Sequence, residues 1–244
     1  MLMAGCIAAT VSACKKTNTT PPAISVSNKV KTIVYIDSTS LYRYRIVYNA
    51  KSDVDSIIKT SRNDTFPTQI QKFNYYGDSM CQVVFYTHSN SGYNPTMGPA
   101  ISYNSAGAVI RSLYSGYADY YTYSGAELKT YVGGPLHGSG LGQQDYKWSG
   151  GDLTQIQYNL SGAQLRTFSY DASKELYHDF QPLPDDYVWN GKQGHSTKHL
   201  CTGYKGPDYD MNFYYEFDAE GRIIKKVDVG GLVHDTTATS TYGY

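Results

Sequence analysis

His195, His199 and Cys201 recur at i, i+4 and i+6, so on an extended strand all three side chains point to one side. Imidazole and thiolate are the ligands that hold zinc, and such a trio could support metal-dependent hydrolysis. The set is incomplete, because no acidic partner stands nearby and the cysteines show neither a CxxC pair nor zinc-ribbon spacing. A run of polar strand residues is the plainer reading. Asp185-Asp186 follow Pro182-Leu183-Pro184, but catalytic carboxylates face each other across roughly 5–9 Å, whereas adjacent ones diverge. Gly138-Ser139-Gly140-Leu141-Gly142 lacks the Lys-Ser/Thr of a phosphate loop, and no Gly-x-Ser-x-Gly elbow is present. No cofactor is indicated and no enzymatic activity is expected.

The elements that would position these residues are strands. The 244 residues carry 26 Tyr against 7 Phe and 2 Trp, and tyrosine suits half-buried sheet faces, with an apolar ring and a polar tip. Lys plus Arg and Asp plus Glu are both 21, so the basic excess that marks nucleic-acid binding is missing. Exposed Trp148 or Trp189 would be the candidates for stacking on a sugar ring.

A local pattern recurs along the chain in two lengths. The longer form places an aromatic residue before Asn or Asp, then Gly four residues after the aromatic, then an aliphatic residue. It reads Tyr103-Asn104-Ser105-Ala106-Gly107-Ala108-Val109, Tyr158-Asn159 to Gly162 and Leu165, and Phe217-Asp218 to Gly221 and Ile223. Tyr48-Asn49 and Tyr170-Asp171 are copies without the glycine, and Tyr123-Ser124-Gly125 and Trp148-Ser149-Gly150 form a shorter version. The physics is that of a hairpin. The ring ends one strand, the Asn or Asp side chain folds onto the backbone two residues on, and glycine supplies the positive φ. The flanks alternate, with Tyr42, Tyr44, Ile46 and Tyr48 opposite Arg43 and Arg45. Gly133 to Gln144 reads as a glycine-rich loop. Repetition of a unit that cannot bury its face alone predicts an antiparallel meander of about 12–16 strands, forming a long curved sheet or open barrel-like structure with little helix. Arg43, Arg45, Lys225, Lys226 and Asp228 interrupt any apolar outer band, which argues against strands that span a bilayer.

Residues 1–13 are apolar and end in small side chains, and Val11-Ser12-Ala13-Cys14 resembles the lipobox of bacterial lipoproteins. The resemblance implies a signal peptide over 1–13, lipidation at Cys14 and a flexible tether over 14–29, leaving 30–244 as a single all-β domain. It also implies a membrane partner through that anchor. Lys15-Lys16 stand where an acidic surface-export signal would lie, so the periplasmic face of the outer membrane is expected ahead of the cell surface. Cys81 and Cys201 remain in the domain, and two cysteines make no disulfide framework.

Tyr215-Glu216-Phe217-Asp218-Ala219-Glu220-Gly221-Arg222-Ile223 resembles the YD repeat of RHS-type proteins. With the lipobox, Ser196-Thr197-Lys198-His199-Leu200 and a closing Tyr242-Gly243-Tyr244, the chain is similar to a family of Bacteroidota lipoproteins of unknown function. That resemblance implies a porin-like all-β fold, an analogy of shape without transport. Three functions follow in order of expectation: a structural or protein-interaction lipoprotein engaging another envelope protein, a carbohydrate-binding module engaging a glycan, and a hydrolase at His195 and His199.

Overall fold

The computed structural model describes residues 29–89, 91–136, 142–159, 164–175, 197–207, 210–230 and 236–244. Sixteen strands follow one another: β1 (Thr32–Asp37), β2 (Leu41–Tyr48), β3 (Val54–Ser61), β4 (Gln69–Tyr76), β5 (Met80–Ser89), β6 (Gly92–Tyr103), β7 (Val109–Tyr114) and β8 (Tyr117–Ser124). The second half comprises β9 (Glu127–Pro135), β10 (Gly142–Ser149), β11 (Asp152–Tyr158), β12 (Gln164–Glu175), β13 (His199–Lys205), β14 (Asp210–Phe217), β15 (Ile223–Gly230) and β16 (Thr236–Gly243). Each strand pairs antiparallel with the next, and no helix occurs among the described residues. The sheet closes rather than staying open: β1 pairs with β16 from Thr32 opposite Gly243 to Asp37 opposite Ala238. Closure removes both edges, which an open meander would leave with unpaired backbone groups.

Five of the seven repeats sit where even strands turn into odd ones, at one end of the barrel. A bulge falls beside the ring at five of these turns, between Val47 and Tyr48, Ser102 and Tyr103, Thr122 and Tyr123, Lys147 and Trp148, and Glu216 and Phe217. The extra residue brings ring and aliphatic residue face to face, as Tyr48 with Val54, Tyr103 with Val109, Tyr123 with Leu128, Trp148 with Leu153, and Phe217 with Ile223.

Three turns share one hydrogen-bond pattern. Asn104 Oδ1 accepts from the backbone N–H groups of Ala106 and Ala108 at 3.0 and 2.9 Å. Asp218 Oδ1 accepts from Glu220 and Arg222 at 3.1 and 2.8 Å, and Asn49 Oδ1 from Lys51 and Asp53 at 2.9 and 3.0 Å. Gly107 and Gly221 have φ of 80°, and in the copy without glycine Ser52 takes φ 67°.

Two copies depart from the pattern. Tyr158 lies at the opposite end, where it pairs with Gln164, while Leu165 pairs with Gln157 and is exposed. After Tyr170-Asp171 the strand continues to Glu175, so no tight turn forms there. The glycine-rich stretch is also more ordered than its composition predicts, because β9 runs to Pro135 and β10 starts at Gly142. Gly133 lacks a Cβ for a packing reason: one there would strike the Tyr131 ring and the Asp119 carboxylate.

Candidate functional site: the barrel interior

Alternation along each strand divides the wall into two faces. Inward at the ring end lie Ile33, Ile46, Ile57, Phe73, Cys81, Val83, Ile101, Val109, Leu200 and Ile223, which form the buried core, with Tyr44, Tyr48, Tyr75, Tyr121, Tyr215 and Phe217 packed against it. Seven rings at this end are tied down by their polar tips. Tyr48 donates to the Val30 carbonyl at 2.7 Å, Tyr75 to Val54 at 2.9 Å, Tyr123 to Val109 at 2.7 Å and Trp148 Nε1 to Leu128 at 2.8 Å. Tyr170 donates to Leu153 at 2.6 Å, Tyr215 to Cys201 at 2.8 Å and Tyr244 to Ile223 at 2.9 Å. The ring, at or near the end of its strand except for Tyr170, caps the backbone near the start of the preceding strand or, for Tyr48, just before β1. A polar backbone group is satisfied inside an apolar plug. Burial pushes these phenols up, to about 12 for Tyr123 and Tyr244 and higher for Tyr75, Tyr170 and Tyr215.

Toward the other end the interior turns polar. The Tyr131 hydroxyl donates to Asp119 Oδ1 at 2.9 Å, and burial together with that carboxylate raises its pKa to about 12. Lys59 Nζ lies 3.8 Å from the ring centre of Tyr42. Lys226, only 2% exposed, pairs with Asp228 at 2.7 Å and sits 4.0 Å over Phe213. Phe168, Tyr204 and Phe213 run across β12, β13 and β14 with centroids 6.0 Å apart at each step. Arg166 closes this row, its guanidinium 4.4 Å from the Tyr204 ring and 5.5 Å from Tyr158.

These interior charges correct the sequence-based expectation. Lys226 and Asp228 do not interrupt the outer face; they pair with each other inside, and only Lys225 of that run points outward, where it meets Glu216 at 2.6 Å. Their i, i+2 spacing was the available signal. Arg166 carried none, because its partners come from β11 and β13.

Of the candidate trio His195, His199 and Cys201, the last two lie among the described residues. His199 Nδ1 lies 2.7 Å from Asp152 Oδ2, and its backbone N–H donates to Asp152 Oδ1 at 2.8 Å. Cys201 points its thiol toward the Gly203 carbonyl at 3.5 Å. Burial pushes that thiol up, opposed by the Gly203 contact and by Lys226. No group of three potential ligands occurs among the described residues, and His195 lies outside them. Cys81 and Cys201 are not joined in a disulfide. Trp148 belongs to the plug rather than to an exposed sugar platform. Trp189, Cys14 and the Asp185-Asp186 pair lie outside the described residues.

No known family profile matches the chain, and no curated protein matches it. Among solved structures, a porin-like protein from Bacteroides uniformis is similar with a TM-score of 0.57 at 14% identity, covering 89% of this chain and 97% of that one. A porin-like protein from Bacteroides vulgatus is similar with a TM-score of 0.53 at 9% identity, covering 89% and 98% respectively. At these identities the likeness is one of fold, and it carries neither the lipoprotein family nor the YD repeat. The chain has the all-β fold of these porin-like proteins.

Proposed function

We propose that this protein is a lipid-anchored envelope barrel that neither conducts solutes nor catalyses a reaction, and that it serves as a structural or protein-interaction module. The observation that carries this reading is the polarity of the wall, which is the reverse of a membrane pore. Rings and branched aliphatic residues fill one end of the interior, while Arg43, Arg45, Lys72, Lys147, Lys205 and Glu216 stand exposed on the outer face. A lipid-facing wall is an apolar band about 25 Å tall, and a basic residue at its midplane costs about 2–4 kcal/mol. The barrel therefore belongs in water, with the membrane reached through Cys14. The described chain enters at the ring end, where Lys29 Nζ donates to the Ser52 carbonyl at 2.6 Å. An anchor on that side turns the plug toward the bilayer and the polar end away from it, on the periplasmic face of the outer membrane.

Fractionation of cells producing the wild-type chain and a Cys14→Ser variant tests this. Wild type is expected in the membrane fraction, labelled by an alkyne fatty acid, and the variant unlabelled in the soluble fraction. A variant that stays in the membrane, or purified protein that opens discrete conductance steps in planar bilayers, contradicts the proposal.

A second reading, glycan binding, draws support from one feature of the rim. Phe66, 65% exposed, stacks on His88 with centroids 5.9 Å apart and planes 13° apart, and Tyr93 meets His88 edge-on at 5.1 Å. Tyr93 is braced by a 2.9 Å bond to the Pro67 carbonyl. A glycan array probed with wild type and Phe66→Ala decides it: hits lost in the variant support the reading, and an array without hits removes it.

A further inference from the structure

We propose that the rim opposite the rings holds an extended site for a neutral oligosaccharide of trisaccharide length or longer. The Phe66 stack seats one sugar, and the cleft between the β1–β2 and β3–β4 turns seats another. This site rests on the glycan reading of the rim and adds where the rest of the ligand lies.

The cleft has a volume of about 510 Å³, within the range of small-molecule sites. Ser38 and Thr39 line it from one turn, Arg62, Asn63 and Asp64 from the other, and Tyr42 adds a ring. Hydroxyl, amide, carboxylate and guanidinium groups together supply the donors and the acceptors that neighbouring sugar hydroxyls require. Asp37 and Asp64 outnumber Arg62 in this lining, so it disfavours an anionic sugar and suits an uncharged one.

Both walls are shaped by the protein's own bonds. Asp37 Oδ1 accepts from the backbone N–H groups of Thr39 and Ser40 at 2.8 and 2.7 Å, which sets the first turn. The second turn is tied at both ends. The Asp64 N–H donates to the Ser61 carbonyl at 3.1 Å, the Thr68 N–H to the Lys59 carbonyl at 2.8 Å, and the His88 N–H to the Thr68 carbonyl at 3.1 Å. The Tyr93 hydroxyl holds the same turn through Pro67. One braced turn thus carries Asn63 and Asp64 at the cleft and Phe66 at the platform, and walls fixed in advance lower the ordering cost of binding.

Spacing sets the length of the ligand. Ser61 ends β3 and His88 lies on β5, so two strand spacings, roughly 10 Å, separate cleft from platform. A single pyranose cannot touch both, whereas the first and third units of an extended chain can. Phe66 lays one face on His88 and is still 65% exposed, which leaves its other face for the C–H surface of a sugar.

The test titrates the full chain, labelled with 15N, with cellotriose, mannotriose and galactotriose and with glucose, mannose and galactose. At least one trisaccharide is expected to shift the amides of Asn63, Asp64 and Phe66 together and saturably, and to bind at least about tenfold more tightly than its monosaccharide. Phe66→Ala should abolish this binding. Asn63→Ala combined with Asp64→Ala, at exposed positions, should weaken the trisaccharide at least about tenfold while the Phe66 amide still shifts. Equal affinity for both lengths, trisaccharide binding untouched by the double variant, or wild-type shifts confined to Phe66 overturns the extended site and leaves the Phe66 reading standing. Sugars that move no resonance overturn both.

Discussion

The Tyr215 hydroxyl donates to the Cys201 carbonyl at 2.8 Å across the β13–β14 pair. Around the barrel the same relation joins Tyr170 to Leu153, Trp148 to Leu128 and Tyr123 to Val109. The tyrosine excess is thereby explained. A phenylalanine could fill the plug, but only a ring with a donor at its tip can also satisfy the carbonyl near the start of the preceding strand.

Tyr215→Phe should accordingly lower stability by about 1 kcal/mol, the net worth of one hydrogen bond, and Tyr215→Ala by about 3–5 kcal/mol through the cavity it leaves. Urea unfolding of the three proteins checks both values. Equal losses for the two variants would show that the ring's volume contributes nothing.

The raised phenols predict an alkaline limit to stability. In the unfolded chain tyrosine loses its proton near pH 10, whereas Tyr123 and Tyr244 hold theirs to about 12 because they are buried. Above pH 10 the unfolded state binds fewer protons than the native one, so stability falls as pH rises through the window from 10 to 12 and is fully present below it. Absorbance at the tyrosinate band should rise in two stages: exposed tyrosines first, then the plug tyrosines together with loss of the β-sheet circular dichroism.

The turns predict opposite signs for two substitutions. Ser52 adopts φ 67°, which disfavours any residue with a Cβ, so Ser52→Gly should raise stability by about 0.5–1 kcal/mol. A Cβ at Gly107 would meet nothing within 4 Å, so Gly107→Ala is decided by its φ of 80° alone and should cost about 1–2 kcal/mol. Thermal melts should move up for the first and down for the second.

The Lys226–Asp228 pair predicts a non-additive result. Asp228→Asn leaves Lys226 charged and 2% exposed, a loss of about 3–5 kcal/mol, while Lys226→Met combined with Asp228→Leu should fall near the wild type or above it. A double-mutant cycle in urea measures the coupling. Additive single losses would mean that the two charges do not support each other.

Local chemistry was readable from the chain because it is carried by neighbours in sequence. Asn104 with Gly107 and Asp218 with Gly221 specify their turns within five residues, and Tyr42, Tyr44, Ile46 and Tyr48 declare a shared face by alternation. The same locality misled at Tyr158, where a matching string lies at the opposite end of the barrel and Leu165 faces solvent. Nothing within that string reports which end of a strand it occupies.

Residue order along the chain thus dictated an all-β meander with rings at its bends, since turn geometry and strand alternation act over a few residues. Closure of β1 onto β16, the inward turn of Lys226 and Asp228, and the meeting of Arg166 with Tyr158 and Tyr204 were decided only in three dimensions. Closure joins residues some two hundred positions apart, and it requires the twist and bulges of all sixteen strands together to bring the first beside the last.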